Sequence, residues 1–222
     1  MEVVKFSTPV LLIGGGDVEW TILFALIEQG YPLIAVDGGA NRLKQNEIVP
    51  DLIIGDLDSL AERQYWETRT TVTEISEQSS TDFEKALYST EAPLYLAFGF
   101  IGKRFDHSLS ALHILIKYNA TKQVILVDCV DLMFLATGIS EFPLPKDTRL
   151  SIYPVSPVTF KSSTGLLYPL DGLIMEQGTF IGTSNITNSE NVQIIPQNSI
   201  SDHYLLILPN LHLDQITSAC LA

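Results

Sequence analysis

Short, continuously apolar runs alternate with amphipathic segments through the first part of the chain. Between these runs, apolar residues recur at helical spacing, as at Leu109, Leu112 and Ile116. Strands that are apolar on both faces and are separated by helices indicate an α/β fold, in which a Rossmann-like parallel sheet has flanking helices. The predicted strands are PVLLIG, YPLIAVD, PDLIIGD, TVTEI, YLAFGF and KQVILVD.

The pattern changes near residue 140. Short strand-like runs follow one another there with few helical segments between them, and the pair Asp171–Gly172 is a strong hairpin-turn signal. We therefore expect two domains, an α/β domain at 1–140 and an all-β sandwich or small barrel at 141–222. The boundary falls in ATGISEFPLPKDT, a segment that contains two prolines.

The charge and the cysteine content limit the classes of protein to be considered. The formal net charge of −13 argues against non-specific binding to nucleic acid or to an anionic membrane surface. Cys129 and Cys220 lie far apart in sequence and indicate neither a disulfide framework nor a thiolate zinc site. No segment approaches the roughly 20 apolar residues of a membrane span, and the N-terminal apolar run is shorter than a signal-peptide core. We expect a cytoplasmic protein.

Glycines and polar residues follow four of the predicted strands. In an open α/β sheet, ligands bind beyond the carboxyl ends of the strands, so we expect these residues to meet at one edge. Glycine allows a ligand to approach the backbone there, and the acidic side chains make the edge negative. The residues are Gly14, Gly15, Gly16 and Asp17; Asp37, Gly38, Gly39, Ala40 and Asn41; Gly55, Asp56, Asp58 and Ser59; and Gly99, Gly102, Lys103, Arg104, Asp106 and His107.

Asp56 and Asp58 lie two residues apart at the end of an apolar run, with no basic residue beside them. In an extended segment residues i and i+2 point the same way, so we expect both carboxylates to face one point. Such oxygen ligands suit Mg²⁺, which takes its remaining ligands from water and from phosphate groups. The structural alternative is that the acidic and hydroxyl side chains here only form a turn or cap a helix.

Two further segments carry candidate ligands. TDFE is a capping-box pattern at a helix start, so Asp82 serves the helix dipole unless the fold brings it over the third strand as another metal ligand. Lys103 and Arg104 follow a flexible glycine turn and are either phosphate ligands or a solvated basic turn, with Asp106 as the expected N-cap of the next helix. The sequence contains no Walker-type, dinucleotide-binding or nucleophile-elbow motif.

Five motifs follow one another along the chain: VDGGAN, PDLIIGDLDS, EQSSTDFEKAL, GFIGKRFDHSLSALHIL and GTSN. Together they resemble the thiamine pyrophosphokinase family over most of the chain. The resemblance implies an α/β domain that binds ATP and Mg²⁺, followed by a β-sandwich domain that binds thiamine. It implies a transferase that moves the diphosphate group of ATP to the hydroxyethyl oxygen of thiamine, giving thiamine diphosphate and AMP. It also implies a homodimer.

Position by position, the resemblance assigns three groups of site residues. The metal ligands, which are also the catalytic carboxylates, are Asp56, Asp58 and Asp82. The nucleotide-binding residues are Asp37, Gly39, Asn41, Lys103, Arg104 and Asp106. The substrate-binding residues are Gln78, Ser184 and Asn185.

The chain departs from the family pattern at two places. Where the family commonly has D-Q-D-x-T-D this chain has EQSSTD, so that two acidic positions become Glu77 and Ser79. Some members stack a tryptophan of the β domain on thiamine, whereas both tryptophans of this chain lie in the first domain. Tyr204 and Phe180 are the substitutes that the sequence offers.

Two other functions stay open at the level of sequence. One is a Mg²⁺-dependent pyrophosphokinase for another alcohol, such as a pterin alcohol, because the predicted acceptor-binding domain is the least distinctive part of the chain. The other is a sensor that binds thiamine or nucleotide without catalysis. Deprotonation of the attacking hydroxyl by an aspartate and metal-assisted attack without a dedicated base are equally open.

Overall fold

A computed structural model of the protein describes residues 3–198 and 202–221. The chain forms two compact units, Met1–Cys129 and Val130–Ala222. None of the helices in the described part of the chain has both the length and the apolar character needed to cross a membrane.

The first unit alternates strands with helices. Its strands are β1 (Val4–Lys5), β2 (Val10–Ile13), β3 (Leu33–Val36), β4 (Leu52–Gly55), β5 (Thr71–Glu74), β6 (Thr90–Glu91), β7 (Tyr95–Phe98) and β8 (Val124–Val127). Its helices are α1 (Trp20–Glu28), α2 (Gly39–Lys44), α3 (Arg63–Glu67), α4 (Asp82–Ser89) and α5 (Phe105–Tyr118). Strands pair in parallel in the order β8-β7-β2-β3-β4-β5, and β1 pairs in parallel with β6.

The apolar runs of the sequence form the centre of this parallel sheet. Every residue of β2, β3, β4, β7 and β8 is buried. A strand that is buried on both faces has no solvent side for polar residues, which explains why these runs are continuously apolar. The edge strand β5 differs, because its residues are exposed or half-buried and include threonine and glutamate. The prediction of an α/β unit with a parallel sheet is confirmed.

Two glycines allow chain segments to approach closely at the carboxyl edge of this sheet. A Cβ atom on Gly39, the first residue of α2, would lie 1.9 Å from the carbonyl oxygen of Ile13 at the end of β2. A Cβ atom on Gly14 would lie 2.6 Å from the carbonyl oxygen of Gly99, which follows β7. Because the opposing atoms are backbone, they have little freedom to move, and only glycine fits at these two positions.

The second unit is rich in antiparallel strands. Its strands are β9 (Asp131–Thr137), β10 (Ser140–Pro143), β11 (Arg149–Pro154), β12 (Val158–Thr164), β13 (Ile174–Met175), β14 (Gly182–Ile186), β15 (Asn191–Pro196) and β16 (His203–Pro209). They pair in the order β14-β11-β16-β9 and, separately, in the order β10-β15-β12-β13. The described chain ends with a 3₁₀-helix, Asn210–His212, and α6 (Leu213–Leu221).

The structure differs from the sequence prediction in two features of this unit. The chain divides after Cys129, earlier than the predicted boundary after residue 140, because β9 pairs along its whole length with β16. The unit is β-rich but not all-β, since it ends in α6, where Leu213 and Ile216 are buried. These two residues have helical spacing in the sequence, so the signal for α6 was present among the strand-like runs and was not recognised.

Candidate active site

The segments that follow β2, β3, β4 and β7 meet at the carboxyl edge of the parallel sheet, as the topology predicts. A cavity of about 400 Å³ opens at this edge. Its wall combines glycine backbone with the side chains of basic residues. The lining includes Gly15, Gly16 and Gly38, and the cations Arg42, Lys103 and Arg104.

Three carboxylates form an acidic group, and one of them, Asp37, lines this cavity. One oxygen atom from each of Asp37, Asp56 and Asp58 lies within 4.8 Å of the other two. Asp37 follows β3, is buried and has a left-handed backbone with φ of 45°. The sequence interpretation placed Asp37 with the nucleotide ligands, whereas the geometry places its carboxylate with the candidate metal ligands.

A turn at Leu57 brings Asp56 and Asp58 together. Strand β4 ends at Gly55 and Leu57 has φ of 64°, so the expectation of an extended segment that aligns residues i and i+2 is wrong. The side chain of Leu57 is buried, and the N–H of Asp58 donates to Asp56 Oδ1 at 3.3 Å. A left-handed leucine costs on the order of 1–3 kcal/mol, so the packing of its side chain and this hydrogen bond hold the turn.

A buried lysine lies between Asp56 and Asp82. The side chain of Lys85 is 1% exposed, and its Nζ donates to Asp56 Oδ2 at 3.1 Å and to Asp82 Oδ1 at 3.0 Å. Asp82 Oδ1 also accepts the backbone N–H of Asp56 at 3.0 Å. The fold therefore brings Asp82 to the end of β4, as its predicted role as a metal ligand requires. Asp82 is nevertheless not one of the three grouped carboxylates, and one of its oxygens is bound by the protein.

The pKa values of these groups shift for different reasons. Burial raises the pKa of Asp37, more than nearby hydrogen-bond donors lower it. Burial also acts to raise the pKa of Asp56, but the hydrogen bonds from the Asp58 N–H and from Lys85 outweigh it and the pKa is lowered. Burial acts to lower the pKa of Lys85, and the hydrogen bonds to its two carboxylates outweigh this effect and raise it. Lys85 is therefore a cation and Asp56 an anion at neutral pH.

The acidic group has the donor chemistry of a divalent-cation site. Carboxylate oxygens are hard ligands that suit Mg²⁺, and among the described residues no thiol or imidazole joins this group. The ion pairs found in the described part of the chain include none with Asp37 or Asp58. A metal ion is the natural counter-charge for these two carboxylates.

Asn41 and Arg42 of α2 hold the loops around the cavity. Asn41 Nδ2 donates to the carbonyl oxygen of Ser59 at 2.7 Å, and Asn41 Oδ1 accepts the N–H of Ala61 at 2.9 Å. Asn41, which was expected to bind nucleotide, thus uses both ends of its amide to fix the turn after β4. Arg42 donates from Nε to the carbonyl oxygen of Gly15 at 3.2 Å. The sequence interpretation missed Arg42, although it directly follows the motif VDGGAN.

Lys103 and Arg104 line the cavity and are exposed to solvent. Lys103 Nζ lies 3.9 Å from a carboxylate oxygen of Asp17. Arg104 donates from Nε to Asp106 Oδ1 at 3.2 Å and from a terminal nitrogen to Asp106 Oδ2 at 2.7 Å. Helix α5 begins at Phe105 with Arg104 as its N-cap, so the expectation that Asp106 is the N-cap is wrong. Exposed ion pairs contribute little to stability, which leaves both cations free to bind an anion.

Glu77 organises the loop that precedes α4. Its carboxylate accepts the backbone N–H groups of Ser79 at 2.7 Å and Ser80 at 3.2 Å. Hydrogen bonds from the two serine side chains, with further help from the Ser79 N–H and the Tyr88 hydroxyl, lower the pKa of Glu77 to about 2. The same loop places Gln78 Nε2 at 3.4 Å from Asp56 Oδ2. Gln78, a predicted substrate residue, therefore lies beside the acidic group.

The other two predicted substrate residues lie on β14 of the second unit. Ser184 is exposed and has φ of 60°, whereas Asn185 is buried. Asn185 Oδ1 accepts the N–H of Tyr168 at 3.1 Å, and its Nδ2 donates to the carbonyl oxygen of Tyr168 at 2.7 Å. Asn185 thus binds the protein itself and fixes the backbone of Tyr168.

The aromatic side chains of the second unit differ in their exposure to solvent. Tyr204 is fully buried and its hydroxyl donates to the carbonyl oxygen of Gly138 at 3.1 Å, so of the two substitutes that the sequence offers only Phe180 is exposed. Phe180 is 47% exposed and Tyr168 is 61% exposed. Tyr168 was missed in the sequence, where nothing links it to Asn185 before the fold brings them together.

The fold and the site together define a class of protein. Carboxylates and cations gather around a glycine-lined cavity at the carboxyl edge of a parallel sheet. Such an arrangement suits a protein class that binds a phosphorylated ligand together with a divalent cation.

Comparisons with known proteins narrow this class. A family model for the thiamin pyrophosphokinase catalytic domain matches residues 25–127, and one for the thiamin pyrophosphokinase vitamin B1 binding domain matches residues 141–199. The chain is 29% identical over 194 residues to thiamine pyrophosphokinase 1 of Oryza sativa subsp. japonica, which covers 72% of this chain and 74% of that one. It is also 29% identical over 185 residues to thiamin pyrophosphokinase 1 of Caenorhabditis elegans, covering 75% and 76%.

Solved structures share the fold. Thiamin pyrophosphokinase from Candida albicans superposes with a TM-score of 0.80 at 18% identity and covers 93% of each chain. Thiamine pyrophosphokinase from Bacillus subtilis superposes with a TM-score of 0.76 at 22% identity, covering 91% of this chain and 99% of that one. The two family models together cover most of the chain, and the chain belongs to the thiamine pyrophosphokinase family.

Proposed function

We propose that the chain transfers the diphosphate group of ATP to the hydroxyethyl oxygen of thiamine, giving thiamine diphosphate and AMP. The observation that carries the proposal is the group of carboxylates from Asp37, Asp56 and Asp58 beside a cavity with basic walls. Membership of the thiamine pyrophosphokinase family supports the choice of thiamine as the acceptor.

In the proposed reaction, the hydroxyl oxygen of thiamine forms a bond to the β-phosphorus of ATP. The bond from that phosphorus to the oxygen shared with the α-phosphate breaks, and AMP leaves with this oxygen. The hydroxyl proton passes to a carboxylate of the acidic group or to water. Such a transfer requires positioning and charge neutralisation rather than a covalent intermediate on the protein.

Residues around the cavity meet these two requirements. Arg42, Lys103 and Arg104 supply positive charge and hydrogen-bond donors for phosphate oxygens. Backbone without side chains at Gly15 and Gly38 lets the phosphates approach the main chain. Asn41 and Asp106 support this surface by fixing the turn after β4 and the side chain of Arg104.

We assign Asp37, Asp56 and Asp58 of the acidic group as metal ligands. The fourth ligand is Asp82, through its Oδ2 atom. These residues would hold a Mg²⁺ ion, which would supply positive charge for the polyphosphate. We assign a substrate contact to Gln78, and its hydrogen bond to Asp56 beside these carboxylates supports the assignment.

Thiamine recognition is assigned to the second unit. Ser184 presents an exposed hydroxyl on a left-handed residue, and Tyr168 presents an exposed ring. An aromatic face attracts a cation, and the thiazolium ring of thiamine is cationic. Asn185 acts indirectly, because its amide fixes the backbone that carries the Tyr168 ring.

The finer fold and the assembly belong to the same proposal. The first unit is a Rossmann-like domain for ATP and metal, and the second is a β-sandwich for thiamine. The rings of Phe160 on β12 and Tyr204 on β16 lie 5.3 Å apart, which supports face-to-face packing of the two antiparallel sets of strands. The protein acts as a homodimer in the cytoplasm, where the free thiols of Cys129 and Cys220 suit a reducing compartment.

A turnover experiment tests this function. The purified chain is incubated with ATP, Mg²⁺ and thiamine, and AMP and thiamine diphosphate are measured by chromatography. We expect equal amounts of the two products, and no AMP when thiamine or metal is omitted. Sedimentation equilibrium on the same sample should give the mass of two chains.

The other outcomes identify the alternative functions. Release of AMP with a pterin alcohol but not with thiamine would assign the site to another acceptor. Binding of thiamine or ATP without release of AMP would make the protein a sensor.

A further inference from the structure

One buried charged side chain has no direct part in the proposed reaction. Lysine is rarely buried unless it is paired, and the Lys85 side chain is 1% exposed. Its Nζ donates to Asp56 Oδ2 at 3.1 Å and to Asp82 Oδ1 at 3.0 Å. Among the ion pairs of the described residues, none joins Lys85 to Asp37 or Asp58. Lys85 therefore contacts one of the three grouped carboxylates and leaves the other two uncompensated.

We propose that Lys85 is a positioning residue that presents Asp56 to the metal ion. This inference rests on the proposed function. Lys85 and Gln78 both donate to Oδ2 of Asp56, whereas Oδ1 accepts the N–H of Asp58. The donors on Oδ2 fix the rotation of the carboxylate, and Oδ1 is held on the side of Asp58. Lys85 thus orients the Asp56 carboxylate through its Oδ2 atom.

The same ammonium group joins helix α4 to the turn after β4. Asp82 Oδ1 accepts from Lys85 Nζ and from the backbone N–H of Asp56, both at 3.0 Å. Without the lysine, the carboxylates of Asp56 and Asp82 would lie close together with no positive charge between them, and repulsion would separate them. Lys85 therefore holds Asp56 and Asp82 close to each other before any metal ion binds.

A lysine in this position has two opposing effects on a bound cation. Its positive charge repels the cation, so removing it would tighten metal binding if charge were its main effect. Its hydrogen bonds orient the ligands, so removing it would weaken metal binding if positioning were its main effect. The direction of the change in affinity therefore decides between the two roles.

The experiment is a titration of the purified chain with Mn²⁺ alone, in which electron paramagnetic resonance measures the free ion. Lys85→Met replaces the ammonium group by an apolar side chain of similar length. We expect about tenfold weaker binding of Mn²⁺, because partners that orient metal ligands typically contribute about 10- to 100-fold to affinity. Unchanged or tighter binding in Lys85→Met would overturn the proposal.

Lys117→Met is the matched control. It removes a lysine and its ion pair with Glu84 from the same pair of helices, α4 and α5, without touching the acidic group. We expect this variant to bind Mn²⁺ like the wild type. Equal weakening in both variants would attribute the effect to general loss of charge or of stability, and would also overturn the positioning role.

Steady-state kinetics provide a second readout. In Lys85→Met we expect kcat to fall while KM for thiamine stays unchanged, because Lys85 contacts the proposed metal ligands and none of the residues assigned to thiamine. Raising the Mn²⁺ concentration should restore part of kcat. A rise in KM for thiamine with kcat unchanged would contradict a role at the metal ligands.

Two further comparisons cover the cases in which Lys85→Met is unstable or the chain turns over no thiamine. If Lys85→Met does not unfold cooperatively, Asp82→Asn is compared with the double variant Asp82→Asn/Lys85→Met, which loses one charge of each sign. The double variant should bind Mn²⁺ more weakly than Asp82→Asn. Equal affinity of the two variants would contradict the positioning role of Lys85. If the wild-type chain binds Mn²⁺ more tightly than Lys85→Met but turns over no thiamine, only the proposed function is contradicted. If the wild-type chain binds no Mn²⁺, the proposed function and the positioning role of Lys85 are both contradicted.

Discussion

At the scale of single residues, the site is defined by contacts that the motifs do not contain. The sequence shows two acidic residues, Asp56 and Asp58, with no neighbouring cation. The cation lies 29 positions further on, at Lys85, and the third member of the acidic group, Asp37, precedes them by a whole strand. The spacing of Asp82 and Lys85 was a usable signal, because residues three apart on a helix are neighbours.

The first residue-scale prediction concerns Asp56→Asn. The substitution removes a proposed metal ligand and one of the two carboxylate partners of Lys85. Turnover should fall more than about a hundredfold, since even the partners of metal ligands contribute about 10- to 100-fold. Weakening the contact to a buried lysine should lower the free energy of unfolding by about 1–3 kcal/mol without loss of cooperativity. Initial rates and denaturant titrations measure the two effects.

Asp214→Asn is the control for this variant. Asp214 is an exposed acid in the first turn of α6, in the other unit. It should leave turnover unchanged. Non-cooperative unfolding of Asp56→Asn would support the structural interpretation of the acidic pair.

The second residue-scale prediction concerns Tyr168→Ala. Loss of an aromatic face for the cationic ring should raise KM for thiamine about tenfold, which corresponds to about 1.4 kcal/mol. KM for ATP should not change, and Tyr168→Trp should retain thiamine affinity because it keeps an aromatic face. Phe180→Ala serves as the comparison, because Phe180 is also an exposed aromatic residue of the second unit. A raised KM in Phe180→Ala instead would assign the contact to Phe180.

At the scale of elements, the loop before α4 shows how a departure from the family motif is accommodated. Thr81 caps the helix through its side-chain oxygen, which accepts the N–H of Glu84 at 3.3 Å, so the predicted cap is present. Glu84 does not reach back to complete a capping box, because its carboxylate binds Lys117 and Tyr118 of α5. Glu77 closes the loop instead by binding the two serines that follow it.

The element-scale prediction concerns Glu77→Gln and pH. The pKa of Glu77 is about 2 in the folded protein, below its ordinary value of 4.5. A lowered pKa stabilises the fold above the ordinary value, and this stabilisation is lost as pH falls from 4.5 towards 2. Wild type should therefore exceed Glu77→Gln in stability at pH 6 to 7, and the difference should shrink as the pH falls through 4 to 3.

Denaturant titrations of both proteins at several pH values measure this difference. The loop also carries Gln78, so Glu77→Gln should reduce turnover while leaving metal binding intact. Stability curves that stay parallel from pH 7 to pH 3 would show that Glu77 does not hold the loop.

At the scale of the whole molecule, the net charge of −13 sets the response to salt. Like charges repel within a folded chain, and salt screens that repulsion. An acidic protein that binds an anionic nucleotide requires local positive charge. In this chain Arg42, Lys103 and Arg104 supply part of it, and the proposed metal ion supplies the rest.

The whole-molecule prediction compares two salts at equal ionic strength. NaCl should raise Tm by screening, and MgCl₂ should raise it further, because an ion that binds only the folded state stabilises that state. Asp56→Asn should keep the response to NaCl and lose the additional response to MgCl₂. Thermal unfolding measures both. An identical Tm in the two salts for the wild type would argue against a divalent-cation site in the free protein.

The sequence by itself determined the strands of the first unit and the edge at which they end. A strand buried on both faces requires a continuous apolar run, and the residues after parallel strands meet at one edge whatever the details of packing. For this reason the sequence alone indicates Asp37, Asp56, Asp58 and the basic pair Lys103–Arg104 as candidate site residues. The family motifs added Gln78, Asp82, Ser184 and Asn185 by position alone.

The tertiary structure alone decided how these side chains are used. It placed Lys85 between two carboxylates, turned Leu57 to bring Asp56 and Asp58 together, and assigned both ends of the Asn185 amide to the backbone of Tyr168. Each arrangement joins segments that are distant in sequence or depends on one left-handed residue. Contacts between distant segments and single left-handed residues leave no periodic pattern in the sequence. They arise from the packing of whole elements rather than from local conformational preference.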